Sequence, residues 1–274
     1  MHNVEIEIFR VAKTEVDRAE VRRWLDFIGV SPEFEIPDDQ EVTDPALLVA
    51  LAAKRCYMSF EAGINPNVTR IRRDWTEYLD NVLKSGHGSC FEHCVFTFAI
   101  ENVSRVFTGE MNRHRAGVGI SEGSMRYIRY KDMPWWRPEF LSVKEEDGPS
   151  IADKKRRTLD EFNAHFQMTE DRYARLQDIW KEELAVGSKF KGKKQVTSLI
   201  RRIIPMGVAT GGVWTMNARA VRHILALRAS EAAEEEICHV FGRVGKMMVE
   251  SQPMIFGDFK QVEGKYWRPE YVKV

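Results

Sequence analysis

Hydrophobic and polar positions along the chain separate into short stretches of period two and longer ones of helical period. Val4, Ile6 and Ile8 alternate with Glu5 and Glu7, which predicts a half-exposed strand near the N-terminal end. From residue 15 to 28 the spacing of Val16, Ala19, Val21, Leu25 and Ile28 predicts an amphipathic helix. An acidic, proline-bearing loop over 32–44 should follow. Asp44 then reads as a helix cap, with Pro45 at the first position of a buried helix running to about residue 60. Another helix is expected over 68–84, closed by Ser85-Gly86, and a strand over 95–100. A short helix over 102–112 has Asn102 or Ser104 as its cap.

In the second half, residues 125–130 alternate with aromatics and predict a strand, and Pro134-Trp135-Trp136-Arg137-Pro138 reads as an aromatic turn for core or interface packing. After an acidic link at 145–150, a long amphipathic helix should extend from 151 to about 185, its charges forming a solvated face. Lys189-Phe190-Lys191-Gly192-Lys193-Lys194 reads as a solvated loop, followed by a helix over 195–204 that Pro205 ends. Residues 207–216 suggest a tight turn or strand pair, 217–227 a helix capped by Asn217, and 232–250 a last helix with acidic residues near its start. No repeat, low-complexity tract or domain boundary is visible.

Composition narrows the function classes. The chain has 274 residues, 43% hydrophobic and 30% charged, enough for a sizeable core. Lys plus Arg and Asp plus Glu are both 41, and a net charge of zero argues against a protein that coats polymeric nucleic acid. No apolar run reaches the length of a membrane span, and the N-terminus lacks the form of a signal peptide. Four cysteines without framework spacing fit a reducing compartment, so a cytoplasmic protein is expected.

Candidate chemistry concentrates in Asn112-Arg113-His114-Arg115-Ala116-Gly117-Val118-Gly119 and the continuation to Ser124-Met125-Arg126-Tyr127. Arginine forks suit phosphate oxygens, and N–H groups of a glycine-spaced loop can line an anion nest. Neither a Walker lysine pattern nor a GxGxxG turn is present. His87-x2-Cys90-x2-His93-Cys94 contains zinc-type ligands, but a following strand would throw His93 and Cys94 to opposite faces, so no metal is expected. On a helix capped by Asn217, Arg219 and His223 share one face, while Arg228, nine residues from Arg219, lies half a turn away.

The run Ser85-Gly86-His87-Gly88-Ser89-Cys90-Phe91-Glu92-His93, then Phe96-Thr97-Phe98, then Arg113-His114-Arg115 to Ser124-Met125-Arg126-Tyr127, resembles the flavin-dependent thymidylate synthases, the ThyX family. Arg201 to Pro205, Thr215-Met216-Asn217-Ala218-Arg219 and Leu227-Arg228 look like a second block of that family. The resemblance implies one α+β domain over 1–274, with a central, mostly antiparallel sheet packed by helices and a helix-rich C-terminal half. It implies reductive methylation of dUMP at C5, with methylenetetrahydrofolate as carbon donor and FAD reduced by NADPH, in a homotetramer that shares its active sites. Ser89, Glu92, Arg113, His114, Arg115, Asn217, Arg219 and His223 match flavin-contacting positions, and His87 a position associated with folate. Glu122, Gly123, Ser124, Met125 and Arg126 match the nucleotide loop, joined by Arg113, by Arg201 as a phosphate partner from a neighbouring subunit, and by Glu110. Arg228 matches the arginine held against the pyrimidine. Arg228 and Ser124 are the candidate catalytic residues, the serine through binding by its hydroxyl rather than as a nucleophile.

Two departures stand out. Eight residues rather than seven separate Arg115 from Ser124, and glycines within 116–119 offer the simplest place for the extra one. Glu110 stands where the family usually carries glutamine, and an ionised carboxylate accepts hydrogen bonds but donates none. That raises a related enzyme acting on another pyrimidine nucleotide such as dCMP, or one making a hydroxymethyl product. From a different class, a zinc-containing or RNA-binding module would use the His/Cys corner and the Arg-rich helix.

Overall fold

A computed structural model describes residues 2–274. It is α+β, and four strands pair in the order Glu7–Lys13, Val95–Ser104, Ala209–Asn217, Val118–Glu122. The pairing is antiparallel: Gly117 accepts from the Asn217 N–H, and Gly211 from the Gly123 N–H, so numbers rise on one strand as they fall on the next. The chain divides into two compact units, interleaved in sequence, one of residues 2–7, 99–113 and 120–213, the other of 8–98, 114–119 and 214–274.

In the first unit, the strand end at Ser104 turns directly into the helix Arg105–Met111. The Ser104 hydroxyl caps it by accepting from the Val106 and Phe107 N–H groups. Asn102, the other expected cap, has a left-handed backbone (φ 64°) and instead donates from its amide to the Glu5 carbonyl at 2.7 Å. The long helix Pro149–Ile179 buries Phe166 and Tyr173 against Met133, Trp135, Leu184, Val196 and Ile200. Trp135 stacks on Phe162 with centroids 5.8 Å apart, so the aromatic turn is core, as expected. Residues 125–130 are not a strand. Tyr127 and Ile128 N–H groups both return to the Ser124 carbonyl in a turn, and the strand lies earlier, at Val118–Glu122. Nor do residues 189–194 form a loop: the helix begins at Phe190 and runs to Ile200, because Val196, Thr197 and Ile200 supply a buried face that overrides the weak start.

In the second unit, the helix Arg18–Phe27 is capped by Asp17, and Asp44–Tyr57 begins after Thr43, so Asp44 is its first residue rather than its cap. The Asp44 carboxylate is used elsewhere, accepting from the Val16 N–H and pairing with Arg18 at 2.7 Å. The strand expected from Val4 starts instead at Glu7 and continues to Lys13, keeping Ile8 buried. Asp74 caps the helix Trp75–Lys84, leaving 68–74 irregular, and Glu234 caps Glu235–Ser251. The C-terminal hairpin Phe259–Val262 with Tyr266–Pro269 turns through Glu263 and Gly264, both left-handed (φ 51° and 72°).

Lys54 of Asp44–Tyr57 is 2% exposed. Its ammonium lies 4.1 Å from the Tyr78 ring centroid and donates to the Arg72 carbonyl at 3.2 Å. Burial pushes the Lys54 ammonium down to about 8 and the Tyr78 phenol up to about 12. An unfolded chain therefore keeps the lysine proton between pH 8 and 10.5 while the folded one releases it, so this group makes stability rise with pH across that window. Above about pH 10 the tyrosine acts oppositely, since it ionises first when unfolded. Lys54→Met is expected to flatten the rise, worth at most about 3 kcal/mol, when urea midpoints are compared from pH 7 to 10. An unchanged pH slope would sink this assignment.

Candidate active site

The candidate residues fall into two clusters, one in each unit. In the second unit, the strand Val95–Ser104 is preceded by a 3-10 turn, Gly88–Glu92, that packs against the helix Ala218–Arg228. The Asn217 side chain caps this helix by accepting from the Ala220 N–H at 2.8 Å, so its oxygen is engaged and its amide NH2 remains as donor. Arg219 donates from Nη1 to Glu92 Oε1 at 2.5 Å across the turn. Gly88 makes this approach possible, because a Cβ there would stand 2.8 Å from Arg219 Nε. A second glycine serves Asn217: Gly117 has φ +69°, and a Cβ on it would lie 2.5 Å from the Asn217 amide nitrogen. The left-handed residue in the 116–119 stretch is thus the place where the backbone must be glycine.

Arg228 Nε donates to His114 Nε2 at 3.0 Å, and the His114 and His223 rings meet edge to face with centroids 6.1 Å apart. An accepting Nε2 is unprotonated, so His114 in this contact is the neutral tautomer with its proton on Nδ1. Arg115 and Ser89 are exposed beside these elements. His87 packs edge to face on Tyr57, whose hydroxyl lies 3.0 Å from Nε2. A cavity of about 280 Å³ adjoins them, lined by Tyr57, Val68, Arg70, Arg72, Tyr78 and His87.

The first unit holds Glu110, Arg113, the loop 122–126 and Arg201. Arg105, which the sequence did not single out, organises this loop. It forms an ion pair with Glu122 and donates from Nη2 to the Gly123 carbonyl at 2.5 Å. Asn112 donates from its amide to the other Glu122 oxygen at 2.7 Å. Glu122 therefore has both oxygens engaged by protein, and it presents the loop rather than an open carboxylate. Burial pushes the Arg105 guanidinium down; the Tyr130 phenol opposes this and the charge of Arg201 adds to it. Ser124 and Met125 are half-buried and Arg126 is exposed, its Nε donating to Ser198 Oγ at 3.1 Å. Glu110 and Arg113 lie at the end of the Arg105–Met111 helix, where the Arg113 N–H returns to the Glu110 carbonyl at 3.2 Å. The signal for Arg105 was its place one residue after a serine cap, but pairing with Glu122 is a tertiary fact.

Three of the four thiols are held protonated. Burial pushes Cys94 up to about 12 and raises Cys90 and Cys238. Among the described residues no three His, Cys, Asp or Glu side chains cluster as metal ligands would, and the His87–Cys94 corner is a turn with Cys94 buried and His93 exposed.

Residues 40–254 match the family model described as thymidylate synthase complementing protein. A flavin-dependent thymidylate synthase of Mycobacteroides abscessus is 32% identical over 88% of this chain and 89% of its own length. The Geobacter sulfurreducens protein of that name is 31% identical over 80% and 84%. In fold, the chain is similar to the UMP/dUMP methylase PolB of Streptomyces cacaoi (TM-score 0.63, 18% identity, 94% and 95% covered). It is also similar to Thymidylate Synthase X of Helicobacter pylori (TM-score 0.53, 18% identity, 93% and 98% covered). The fold is the α+β fold of these two structures. The chain belongs to the flavin-dependent thymidylate synthase family.

Proposed function

We propose that the protein converts dUMP to dTMP, taking the carbon from methylenetetrahydrofolate and the reducing equivalents from FAD reduced by NADPH, as a homotetramer. The match of residues 40–254 to the family model carries this reading, and the arrangement of side chains supports it. The residues fit an FAD. Two glycines, Gly88 and Gly117, let the Arg219 and Asn217 side chains lie close against the backbone, and the donors in this cluster are Arg219, Arg115, His114, His223, Ser89 and the Asn217 amide. Arg115 and Arg219 would neutralise the pyrophosphate, with Glu92 orienting Arg219. Bound FAD supplies the hydride-equivalent reduction that a one-carbon unit needs to become methyl.

Glu122, Gly123, Ser124, Met125 and Arg126 form the nucleotide loop, braced by Arg105 and Asn112, with Arg201 as a phosphate partner from a neighbouring copy. Arg228 stabilises negative charge on the pyrimidine ring oxygen as C5 becomes nucleophilic. His114 accepts from the Arg228 Nε at 3.0 Å, which fixes the guanidinium in place. Ser124 binds through its hydroxyl. Burial disfavours the thiolate of Cys90, Cys94 and Cys238, so none of these three is suited to add to C6. His87, edge-on to Tyr57, is the residue we place at the folate.

Glu110 favours a second reading, in which the base carries an amino group, as in dCMP, or the product stops at hydroxymethyl. An anaerobic assay of the protein with FAD, NADPH, methylenetetrahydrofolate and either dUMP or dCMP separates the two. Efficient dTMP formation is the expected result and makes Glu110 a tolerated variation. Turnover of dCMP alone, or a product heavier than methyl by one oxygen, replaces the first reading with the second.

A further inference from the structure

The helix Phe190–Ile200 is built against its own electrostatics. Lys189, Lys191, Lys193 and Lys194 crowd its N-terminal end, where the macrodipole favours carboxylates. No Asp or Glu occurs anywhere between Glu183 and Glu231. Lys191, Lys194 and Ser198 follow at intervals of three and four, so they share one face, while Val196, Thr197 and Ile200 bury the other; Arg202 follows in the 3-10 turn Arg201–Ile203. Like charges at that spacing destabilise a helix. Among the described residues none of Lys191, Lys194, Arg202 and Arg126 pairs with a carboxylate within 4.0 Å.

This cationic face lines a pocket of about 450 Å³ together with Arg126 of the nucleotide loop and Leu199. That volume is in the range of small-molecule sites and exceeds what a single phosphate group needs. Ser198 orders the pocket from inside: its hydroxyl accepts from Arg126 Nε at 3.1 Å and its carbonyl from Arg202 Nη1 at 2.8 Å. The Lys194 ammonium lies 5.7 Å from the centroid of the Tyr127 ring, which stacks on Phe190 at 6.1 Å with 13° between planes. Both rings are more than half exposed (55% and 65%), an aromatic platform at the rim of a carboxylate-free cationic pocket.

We propose that Lys191, Lys194 and Arg202, with Arg126, form a seat for a phosphate-monoester dianion within one copy of the chain. The inference rests on the dUMP reading above, because that reaction brings two phosphate monoesters to the enzyme: the 5′-phosphate of dUMP and the 2′-phosphate of NADPH. Arg126 and Arg202 offer planar forks for phosphate oxygens, and the two lysines add point charge that draws the dianion in. The compensation for a destabilised helix is then the bound anion.

The test is a calorimetric titration of the FAD-loaded protein with dUMP, NADPH and NADH, in parallel with turnover. Wild type is compared with Lys194→Gln, with Arg202→Gln, and with the triple variant that adds Lys191→Gln. The dissociation constant for one phosphate monoester is expected to rise about tenfold or more in either single variant, and its salt dependence to become shallower. Lys194→Arg should recover most of the affinity. A loss confined to dUMP assigns the seat to the substrate. A loss confined to NADPH, with NADH binding unmoved, assigns it to the 2′-phosphate. If the triple variant, folded by circular dichroism, binds dUMP and NADPH within twofold of wild type, the seat does not exist. Absence of dTMP formation by wild type would overturn the functional reading alone, and the titrations would still decide the seat.

Discussion

Asp258→Ala is expected to destabilise the protein by about 3–5 kcal/mol, the largest effect on stability that any single site here should produce. Arg222 and Asp258 are 2% and 7% exposed and meet fork to fork, Nη1 to Oδ1 at 2.6 Å and Nη2 to Oδ2 at 2.7 Å. Arg222 Nη1 also donates to the Ile255 carbonyl at 2.6 Å, and its guanidinium carbon lies 4.9 Å from the Phe259 ring centroid. Removing the carboxylate leaves a guanidinium that is always charged in a site water does not reach. The consequence reaches function, because Arg222 belongs to the helix Ala218–Arg228 that also carries Arg219, His223 and Arg228. Guanidinium denaturation should show a lower midpoint with an unchanged slope. The double variant Arg222→Met/Asp258→Leu should regain part of the loss, since an apolar pair strands no charge. A drop below about 1 kcal/mol in Asp258→Ala would mean that the pair is solvated.

Arg228→Ala should reduce kcat for dTMP formation by about 10²–10³-fold while the protein keeps its flavin absorbance. The expectation follows from the role proposed for Arg228, a cation whose Nε is tied to His114 Nε2 at 3.0 Å and which would meet the charge that develops as C5 is activated. Arg228→Lys should fall in between, keeping the charge but losing the fork. Single-turnover measurements separate this from a binding defect: the chemical step should slow with little change in the dUMP dissociation constant. Turnover within threefold of wild type in Arg228→Ala would remove Arg228 from the chemistry.

Much of the candidate site was legible because its signals are local. Asn217 was expected to cap the helix that carries Arg219, His223 and Arg228, and it does so through its own side chain. Ser104 was one of two expected caps, and the one used. A cap needs only the few residues around it, so sequence spacing suffices to place it. The family's ordered blocks were equally visible, because they are side-chain identities at fixed intervals. Gly117 lies in the stretch named for the extra residue and has a left-handed backbone.

The misplacements share one cause. Residues 125–130 have the alternation of a strand, yet Val118–Glu122 pairs with Ala209–Asn217 instead. Which segment joins a ladder depends on partners some ninety residues away, and period two alone cannot name them. Residues 189–194 look like a solvated basic loop, and only the burial of Val196 and Ile200 against Trp135, Phe166 and Tyr173 makes them the start of a helix.

By itself, then, the sequence determined the helices with strong periodicity, the caps, the class of chemistry and the family. Tertiary structure alone decided that Arg105 braces Glu122, that Arg228 leans on His114, that Asp258 neutralises Arg222, and that Lys191, Lys194 and Arg202 line a pocket with Arg126. Local conformation follows from backbone sterics and near-neighbour hydrogen bonds, which a spacing encodes. The pairing of charges distant in sequence follows from which surfaces the core brings together, and that is a property of the whole packed chain.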